Sequence, residues 1–225
     1  MATVLITGVG RGIGRELARQ YAEDGWRVIG TCRKPADGAD LARAGVDIRH
    51  LDVVDDAGIA GLARDLGGVA IDVLINNAGI YGGEAAQRLG KLDSAEWARV
   101  MRVNAIAPLK VAEAFLPHVA AGGRKTMAFL SSVMGSIGGN GGGAYAYRAS
   151  KAALNQAVRT LALDSACRDM IVLLLHPGWA RTDMGGAGAP VAVPDSATGL
   201  RRVIARATTD DTGRFLEYTG KEIAW

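Results

Sequence analysis

The chain has 225 residues and a mass of 23.4 kDa, and 49% of its residues are hydrophobic while 22% are charged. This composition supports a buried core and excludes a disordered chain. The 26 basic residues exceed the 23 acidic ones by only three and are scattered along the sequence. The charge therefore suits a small anionic ligand better than nucleic acid, which requires a basic face and a recognisable module.

Several kinds of protein are excluded by what the sequence lacks. Apolar runs are shorter than the ~18 residues of a membrane span, and the first residues lack the basic region of a signal peptide. We therefore expect a cytoplasmic protein without membrane contact. Two cysteines, Cys32 and Cys167, are too few for a disulfide framework or a zinc cluster. The three histidines have no metal-ligand spacing, so we predict no metal site.

Short apolar runs predict seven strands, at residues 3–7, 27–32, 46–51, 71–75, 126–131, 171–175 and 215–218. Amphipathic stretches between them predict helices at residues 13–24, 36–44, 55–66, 94–119, 147–164 and 194–207, with Pro108 expected to kink the fourth. Apolar strands that alternate with helices are typical of a parallel sheet covered on both faces. The pattern predicts an α/β fold, with one doubly wound, Rossmann-type domain over residues 1–225.

The first strand runs into a glycine-rich loop, Thr-Gly-Val-Gly-Arg-Gly-Ile-Gly at residues 7–14, and then into a helix. Such a unit directs backbone N–H groups and the positive end of the helix at a pyrophosphate. Gly8 permits the tight turn, Gly12 allows the backbone to approach phosphates, and Gly14 allows close packing of helix on strand. An ordinary turn between strand and helix is the alternative.

The second strand ends at Cys32-Arg33-Lys34, without the acidic residue that binds the ribose of NAD. Arg33 and Lys34, joined by Arg11 of the glycine-rich loop, suit a 2′-phosphate instead. The sequence therefore favours NADP(H), while NAD(H) stays open and the cations are alternatively plain surface residues.

Tyr147 and Lys151 lie four residues apart at the start of a predicted helix, so they share one face. Tyrosine normally has a pKa near 10, and a nearby ammonium lowers the pKa of a phenol. The pair therefore predicts a general acid/base. A surface pair without function is the alternative.

These motifs occur together with Asn76-Asn77-Ala78-Gly79 after the fourth strand, Ser131-Ser132 after the fifth and Pro177-Gly178 after the sixth. In this order and spacing, over nearly the whole chain, the sequence resembles the compact short-chain dehydrogenase/reductase family. The segments 145–155, 176–179 and 223–225 are similar to the branch that contains sniffer-type carbonyl reductases and C-factor-like signalling proteins.

The resemblance implies a role for each matching residue. Tyr147 would exchange a proton with the substrate oxygen, Lys151 would hold the nicotinamide ribose and lower the pKa of Tyr147, and Ser132 would orient the carbonyl. Asn104 would support a water-mediated proton relay, Asn76 would steady the central strand, Asp52 would face the adenine, and Thr182 would contact the nicotinamide amide. The remaining implied cofactor-binding residues are Gly8, Arg11, Gly12, Ile13, Arg33, Ala78, Gly79, Pro177 and Gly178.

The sequence departs from the family at one spacing and leaves the substrate open. Ser132 precedes Tyr147 by 15 residues, more than is usual in the family, and the glycine-rich stretch 139–143 absorbs the excess. The candidate wall residues are mostly apolar or aromatic: Tyr81, Met134, Tyr145, Trp179 and Met184. They favour an aldehyde, ketone or secondary alcohol as substrate, unless they belong to the core.

Two further questions stay open. The resemblance also allows a dinucleotide-binding signalling or regulatory protein with weak catalysis, although the filled catalytic positions favour an enzyme. The family often forms dimers or tetramers through the long helices at residues 94–119 and 147–164, and their apolar faces permit a homodimer or homotetramer here.

Overall fold

All seven predicted strands are present and run parallel in a single sheet. The computed structural model describes residues 1–225. The strands are β1 (Thr3–Thr7), β2 (Arg27–Cys32), β3 (Asp47–His50), β4 (Val73–Asn76), β5 (Thr126–Leu130), β6 (Ile171–His176) and β7 (Phe215–Glu217). Their order is β3-β2-β1-β4-β5-β6-β7, which is the doubly wound, Rossmann-type arrangement that the alternating pattern predicts.

Seven helices cover the two faces of this sheet. They are α1 (Gly12–Glu23), α2 (Ala39–Arg43), α3 (Asp56–Asp65), α4 (Ser94–Met101), α5 (Ala107–Ala120), α6 (Tyr145–Leu161) and α7 (Val193–Arg206). One core packs α3, α5 and α6 against the sheet, and the other packs α1, α2 and α7. Within β1 the side chains alternate between the two cores, with Leu5 in the first and Val4 and Ile6 in the second, which is why the three central residues of the strand are all apolar.

The long predicted helix at residues 94–119 is interrupted. A π-helical turn, Arg102–Ile106, separates α4 from α5, and the N–H of Ala107 bonds to the carbonyl of Arg102, five residues back. Pro108 lies in the first turn of α5, where a missing N–H is tolerated. The interruption therefore lies just before the proline, and π turns of this kind are frequent at functional sites.

Other boundaries move by one to three residues from their predicted positions. Ile71 does not begin the fourth strand, because its N–H bonds to the carbonyl of His118 at the end of α5. The predicted helix at 36–44 divides into a 3₁₀ turn, Pro35–Gly38, and the short α2. The active-site helix begins two residues early, at Tyr145.

The strand order reverses between β1 and β4, which are neighbours in the sheet with Ile6 paired to Ile75. Connections leave these two strands in opposite directions, so a crevice forms beyond their carboxyl ends, where ligands of open α/β sheets bind. The loops that follow β1, β4, β5 and β6 carry the sequence motifs, and all of them begin at this edge. No helix is both long and apolar enough to cross a membrane.

Candidate active site at the carboxyl edge of the sheet

The glycine-rich loop brings the start of α1 into the crevice. Gly8 and Gly12 have φ angles of 77° and 58°, which non-glycine side chains rarely adopt. A Cβ on Gly14 would overlap the Asn77 amide and the Gly8 carbonyl. No side chain caps α1 and its first turn holds no acidic residue, so the positive end of the helix stays open to an anion.

Asn77 ties this loop to the segment that follows β4. Its Nδ2 donates to the carbonyls of Thr7 at 2.8 Å and Gly8 at 3.1 Å, and the Thr7 hydroxyl accepts from the N–H groups of Asn77 and Ala78. Asn77 therefore fixes the glycine-rich loop against the segment after β4, a role that its sequence motif did not assign to it. The side chain of Asn76 is buried, and its Nδ2 has no hydrogen-bond partner.

The end of β2 carries the predicted phosphate-binding cations. Arg33 and Lys34 are exposed and form no ion pair, unlike Arg11 and Arg15. Arg11 pairs with Asp183 at 2.9 Å, and both side chains are exposed. Arg11 is therefore turned toward the segment after β6 rather than toward Arg33.

Asp52 and the segment after β6 border the crevice. Asp52 follows β3 and accepts from the N–H of Val54 at 3.2 Å, so it also stabilises its own turn. Thr182 lies opposite the glycine-rich loop, since a Cβ on Gly12 would stand 3.3 Å from its methyl group. Its hydroxyl accepts from the N–H of Gly185. Pro177 and Gly178 form the turn between β6 and this segment, and Gly178 has a φ of 76°.

Tyr147 is 7% exposed, although it lies in the first turn of α6. Burial raises the pKa of Tyr147 to about 12, and the nearby Ser132 hydroxyl opposes that shift. The ring of Tyr81 packs on that of Tyr147, with centroids 4.9 Å apart. The phenol is thus held in a dry contact between Ser132 and Tyr81.

Lys151 lies one turn along α6 and is 5% exposed. Its Nζ donates to the carbonyl of Leu130 at 2.8 Å and stands 5.8 Å from the Tyr147 ring centroid. Burial lowers the pKa of Lys151 to about 8. Burial is the largest influence on the Tyr147 pKa in this structure, and the lowering of that pKa by Lys151 stays a prediction.

The two adjacent serines after β5 have different partners. Ser131 donates to Asn155 Oδ1 at 2.5 Å, and the amide of Asn155 donates to the carbonyl of Gly135. Ser132 accepts from the N–H of Met134 at 3.1 Å and keeps its contact with Tyr147. Ser131 therefore holds the loop, while Ser132 faces the phenol.

Asn104 is fully buried in the π turn. Its Oδ1 accepts from the N–H of Ile80 at 2.9 Å, and its Nδ2 donates to the carbonyl of Ile80 and to the hydroxyl of Ser150. Gly79 lies against this amide, since a Cβ added to it would stand 3.3 Å from Asn104 Oδ1 and 3.7 Å from Lys151 Nζ. Asn104 therefore joins the segment after β4 to the active-site helix.

The five predicted pocket residues separate into two groups. Met134 and Tyr145 line a cavity of about 400 Å³ with Trp97, Ser136 and Arg148, among others. Neither Tyr147 nor Lys151 lines it, because residues 145, 148, 149 and 152 share the other face of α6.

Tyr81, Trp179 and Met184 form the second group. Tyr81 contacts Tyr147 directly. Trp179 donates its indole N–H to the carbonyl of Gly185 at 2.8 Å, and Trp179 and Met184 are both partly exposed. Only this second group provides candidate walls beside the phenol or on the segment after β6.

The buried glutamine Gln87 was not identified from the sequence. Its side chain bonds to the backbone of both Tyr81 and Tyr147. The sequence gives no signal for it, because residue 87 lies in an irregular segment, 60 positions from Tyr147.

Comparison with known proteins agrees with this geometry. A family model described as short chain dehydrogenase matches residues 2–189. The chain belongs to the short-chain dehydrogenase/reductase family. As a member of this family it is an NAD(P)-dependent oxidoreductase, and the predicted family and fold are confirmed.

Individual relatives extend the likeness over the whole chain. C-signal of Myxococcus xanthus is 47% identical over 156 residues, which cover 69% of this chain and 93% of that protein. The carbonyl reductase Sniffer of D. melanogaster has a similar structure, with a TM-score of 0.92, 33% identity and full coverage of both chains. NADPH-bound carbonyl reductase from chicken fatty liver is similar at a TM-score of 0.90 and 32% identity, covering 100% of this chain and 99% of that one.

Proposed function

We propose that this short-chain dehydrogenase/reductase transfers a hydride between NADP(H) and a carbonyl or alcohol substrate, with Tyr147 as general acid/base. The observation that carries the proposal is the burial of Tyr147 and Lys151, one helical turn apart with Ser132 near the phenol, at the sheet edge that also carries the glycine-rich loop. A hydroxyl donor, a second hydroxyl and a lysine at one crevice are suited to protonating a carbonyl oxygen.

Each polar side chain has a task that follows from its partners. The phenol keeps its proton at neutral pH, since even an ordinary tyrosine has a pKa near 10, and it is therefore in the form that donates to a carbonyl oxygen. Ser132, which faces the phenol, would bond to the same oxygen and fix its orientation. Asn104 and Lys151 hold the segment after β4 and the end of β5 against α6. The family resemblance assigns these last two residues to the proton relay and to the nicotinamide ribose.

The crevice fits an NADP(H) dinucleotide. The uncapped start of α1 suits the pyrophosphate, and the unpaired cations Arg33 and Lys34 suit the 2′-phosphate. Two buried polar atoms at strand ends have no partner within the protein, Thr31 Oγ1 and Asn76 Nδ2. When bound, the cofactor supplies or accepts the hydride. The residues that would hold it are Gly8, Arg11, Gly12, Ile13, Arg33, Asp52, Asn76, Ala78, Gly79, Lys151, Pro177, Gly178 and Thr182.

The substrate is a small aldehyde, ketone or secondary alcohol. Tyr81, Trp179 and Met184 offer aromatic and thioether surface close to the phenol or on the segment after β6, and such walls favour an apolar body around the reacting carbon. The similarity to named carbonyl reductases supports the same substrate class.

A second candidate function is supported by the 47% identity to C-signal. In that case the protein binds the dinucleotide for a regulatory purpose and turns over weakly. A third candidate function is that of an NAD-linked dehydrogenase with the same catalytic residues. Only Arg11, Arg33 and Lys34 bear on the choice between NADP(H) and NAD(H).

Fluorescence titration of the purified protein with NADPH and NADH tests the cofactor. Tighter binding of NADPH, lost in Arg33→Ser but not in a variant of the distant exposed Arg43, is the expected result. Stronger binding of NADH would refute the phosphate site and leave the Tyr147 chemistry intact. Binding of neither nucleotide would contradict the proposal as a whole.

Turnover of aldehydes and ketones tests the chemistry. We expect Tyr147→Phe to lower kcat by about 10²–10⁴-fold while NADPH still binds. Ser132→Ala should lower kcat more than Ser131→Ala, whose hydroxyl bonds to Asn155 instead. Full activity of Tyr147→Phe would exclude the phenol as the proton donor.

A further inference from the structure

The helix that carries Tyr147 starts without a cap of its own. Ala144 occupies the N-cap position with φ 46° and ψ 49° and offers no side-chain acceptor. Gly142 and Gly143 before it also have positive φ angles. The first N–H groups of a helix have no partner within the helix and need an acceptor from elsewhere when they are buried. The chain just before α6 cannot supply one to Tyr147.

Gln87 supplies that acceptor from a distant segment. Its Oε1 accepts from the N–H of Tyr147 at 2.8 Å, and its Nε2 donates to the carbonyl of Tyr81 at 2.8 Å. The side chain is 1% exposed, so water does not compete for either bond. One amide thus fixes the backbone of two residues whose rings pack on each other.

The segment around Gln87 is itself held in place. Residues Ala85–Gln87 form a 3₁₀ turn, and the carbonyl of Ala86 accepts from the N–H of Asp93. Just upstream, Glu96 of α4 accepts from the N–H of Gly83 at 2.7 Å. Gln87 therefore ties the start of α6 to a segment that is itself held in place by hydrogen bonds.

We propose that Gln87 is a positioning residue for the reaction, which fixes the start of α6 and the ring of Tyr81 so that the Tyr147 hydroxyl stays beside Ser132. It does not touch the reacting atoms and acts through Tyr147. The effect of Gln87 on catalysis rests on the proposed function, whereas the hydrogen bond from the Tyr147 amide to Gln87 does not depend on it.

Two variants separate the two bonds. Gln87→Met keeps the length of the side chain and removes both hydrogen-bonding groups. Gln87→Glu mimics the amide only when protonated, because the neutral acid accepts from Tyr147 and donates to Tyr81, whereas the carboxylate cannot donate. Gln156→Met is the matched control, because Gln156 lies on the exposed side of α6.

Kinetics and hydrogen exchange of the peptide that contains Tyr147 are measured together on the full chain. In Gln87→Met we expect kcat to fall about tenfold or more, with NADPH affinity unchanged and faster exchange of the Tyr147 amide. In Gln87→Glu the kcat ratio to wild type should rise as the pH falls and the acid is protonated. Gln156→Met should match wild type in every readout.

Other outcomes overturn the proposal. Unchanged kcat in Gln87→Met, or a kcat that falls only in step with NADPH affinity and thermal stability, would reduce Gln87 to a packing residue. If Gln87→Met does not fold, the pH dependence of Gln87→Glu decides, and a flat kcat ratio refutes the role. If wild type reduces no carbonyl, the proposed function fails, and the exchange of the Tyr147 amide alone decides whether Gln87 holds it.

Discussion

The buried lysine of the active site makes protein stability depend on pH in a defined direction. Burial lowers the pKa of Lys151 from 10.5 to about 8 in the folded protein. The unfolded chain therefore holds a proton at this residue between pH 8 and 10.5, where the folded protein has released it. Since the unfolded state binds more protons in that window, the free energy of unfolding rises with pH through it.

The size of this rise follows from the same values. A difference between 10.5 and about 8 corresponds to about 3 kcal/mol, at about 1.4 kcal/mol for each pH unit. Most of it, about 2–3 kcal/mol, is gained between pH 7 and pH 10. Tyr147 acts in the opposite direction only above pH 10, because burial raises its folded pKa to about 12. Burial also raises the thiol pKa values of Cys32 and Cys167, which act in the opposite direction within this range, so only the comparison with a Lys151 variant isolates the lysine.

Urea denaturation of wild type and Lys151→Met at several pH values between 7 and 10 measures the effect. We expect wild type to gain about 2–3 kcal/mol relative to the variant over this range. The difference between the two proteins at one pH also includes the lost bond to Leu130, so the slope is the decisive quantity. Lys91→Met removes an exposed lysine and should run parallel to wild type. Parallel profiles for Lys151→Met as well would refute the reasoning.

Two further predictions concern the crevice. Gly14→Ala places a methyl group on the Asn77 amide and the Gly8 carbonyl and should cost about 1–3 kcal/mol of stability. Gly61→Ala, where a Cβ meets only the end of the Arg64 side chain, should add about 0.5–1 kcal/mol; equal effects in urea denaturation would contradict the packing argument. Asp183→Asn breaks the exposed pair with Arg11, so it should change stability by less than about 1 kcal/mol while NADPH binds more tightly. An unchanged NADPH titration would exclude Arg11 from the phosphate site.

The fold was predictable because buried parallel strands give an unambiguous signal. Strands such as β1 and β6 are apolar at nearly every position, since both faces of the sheet are covered. The missed details arise from contacts outside any periodic pattern. Ile71 continues the apolar run of β4, yet its N–H bonds to the end of α5, and no local feature of the sequence reports that bond. The π turn before Pro108 likewise has no counterpart in the periodic pattern of the sequence.

Site residues that belong to a sequence motif could be predicted. The role of a residue could not be predicted where it depends on which side chain or backbone group it contacts in the fold. Ser131 and Ser132 are adjacent in sequence, and their different partners, Asn155 for Ser131 and the N–H of Met134 for Ser132, appear only in the structure. The sequence predicts Tyr145 as a wall of the substrate pocket, whereas the helical turn directs it to a different face of α6 from Tyr147. The spacing of Tyr147 and Lys151 suggested a lowered phenol pKa, but spacing carries no information about burial, which raises that pKa here.

The buried polar groups explain why the site and the fold cannot be separated. Asn77 joins β1 to the segment after β4, Asn104 joins that segment to α6, and Lys151 joins α6 to the end of β5. A buried polar group is costly unless it is bonded, so the buried Asn104 and Lys151 are tolerated only while the segments and helices they join stay in register. The same bonds therefore hold the phenol of Tyr147 in position and penalise any arrangement of the sheet edge that would displace it.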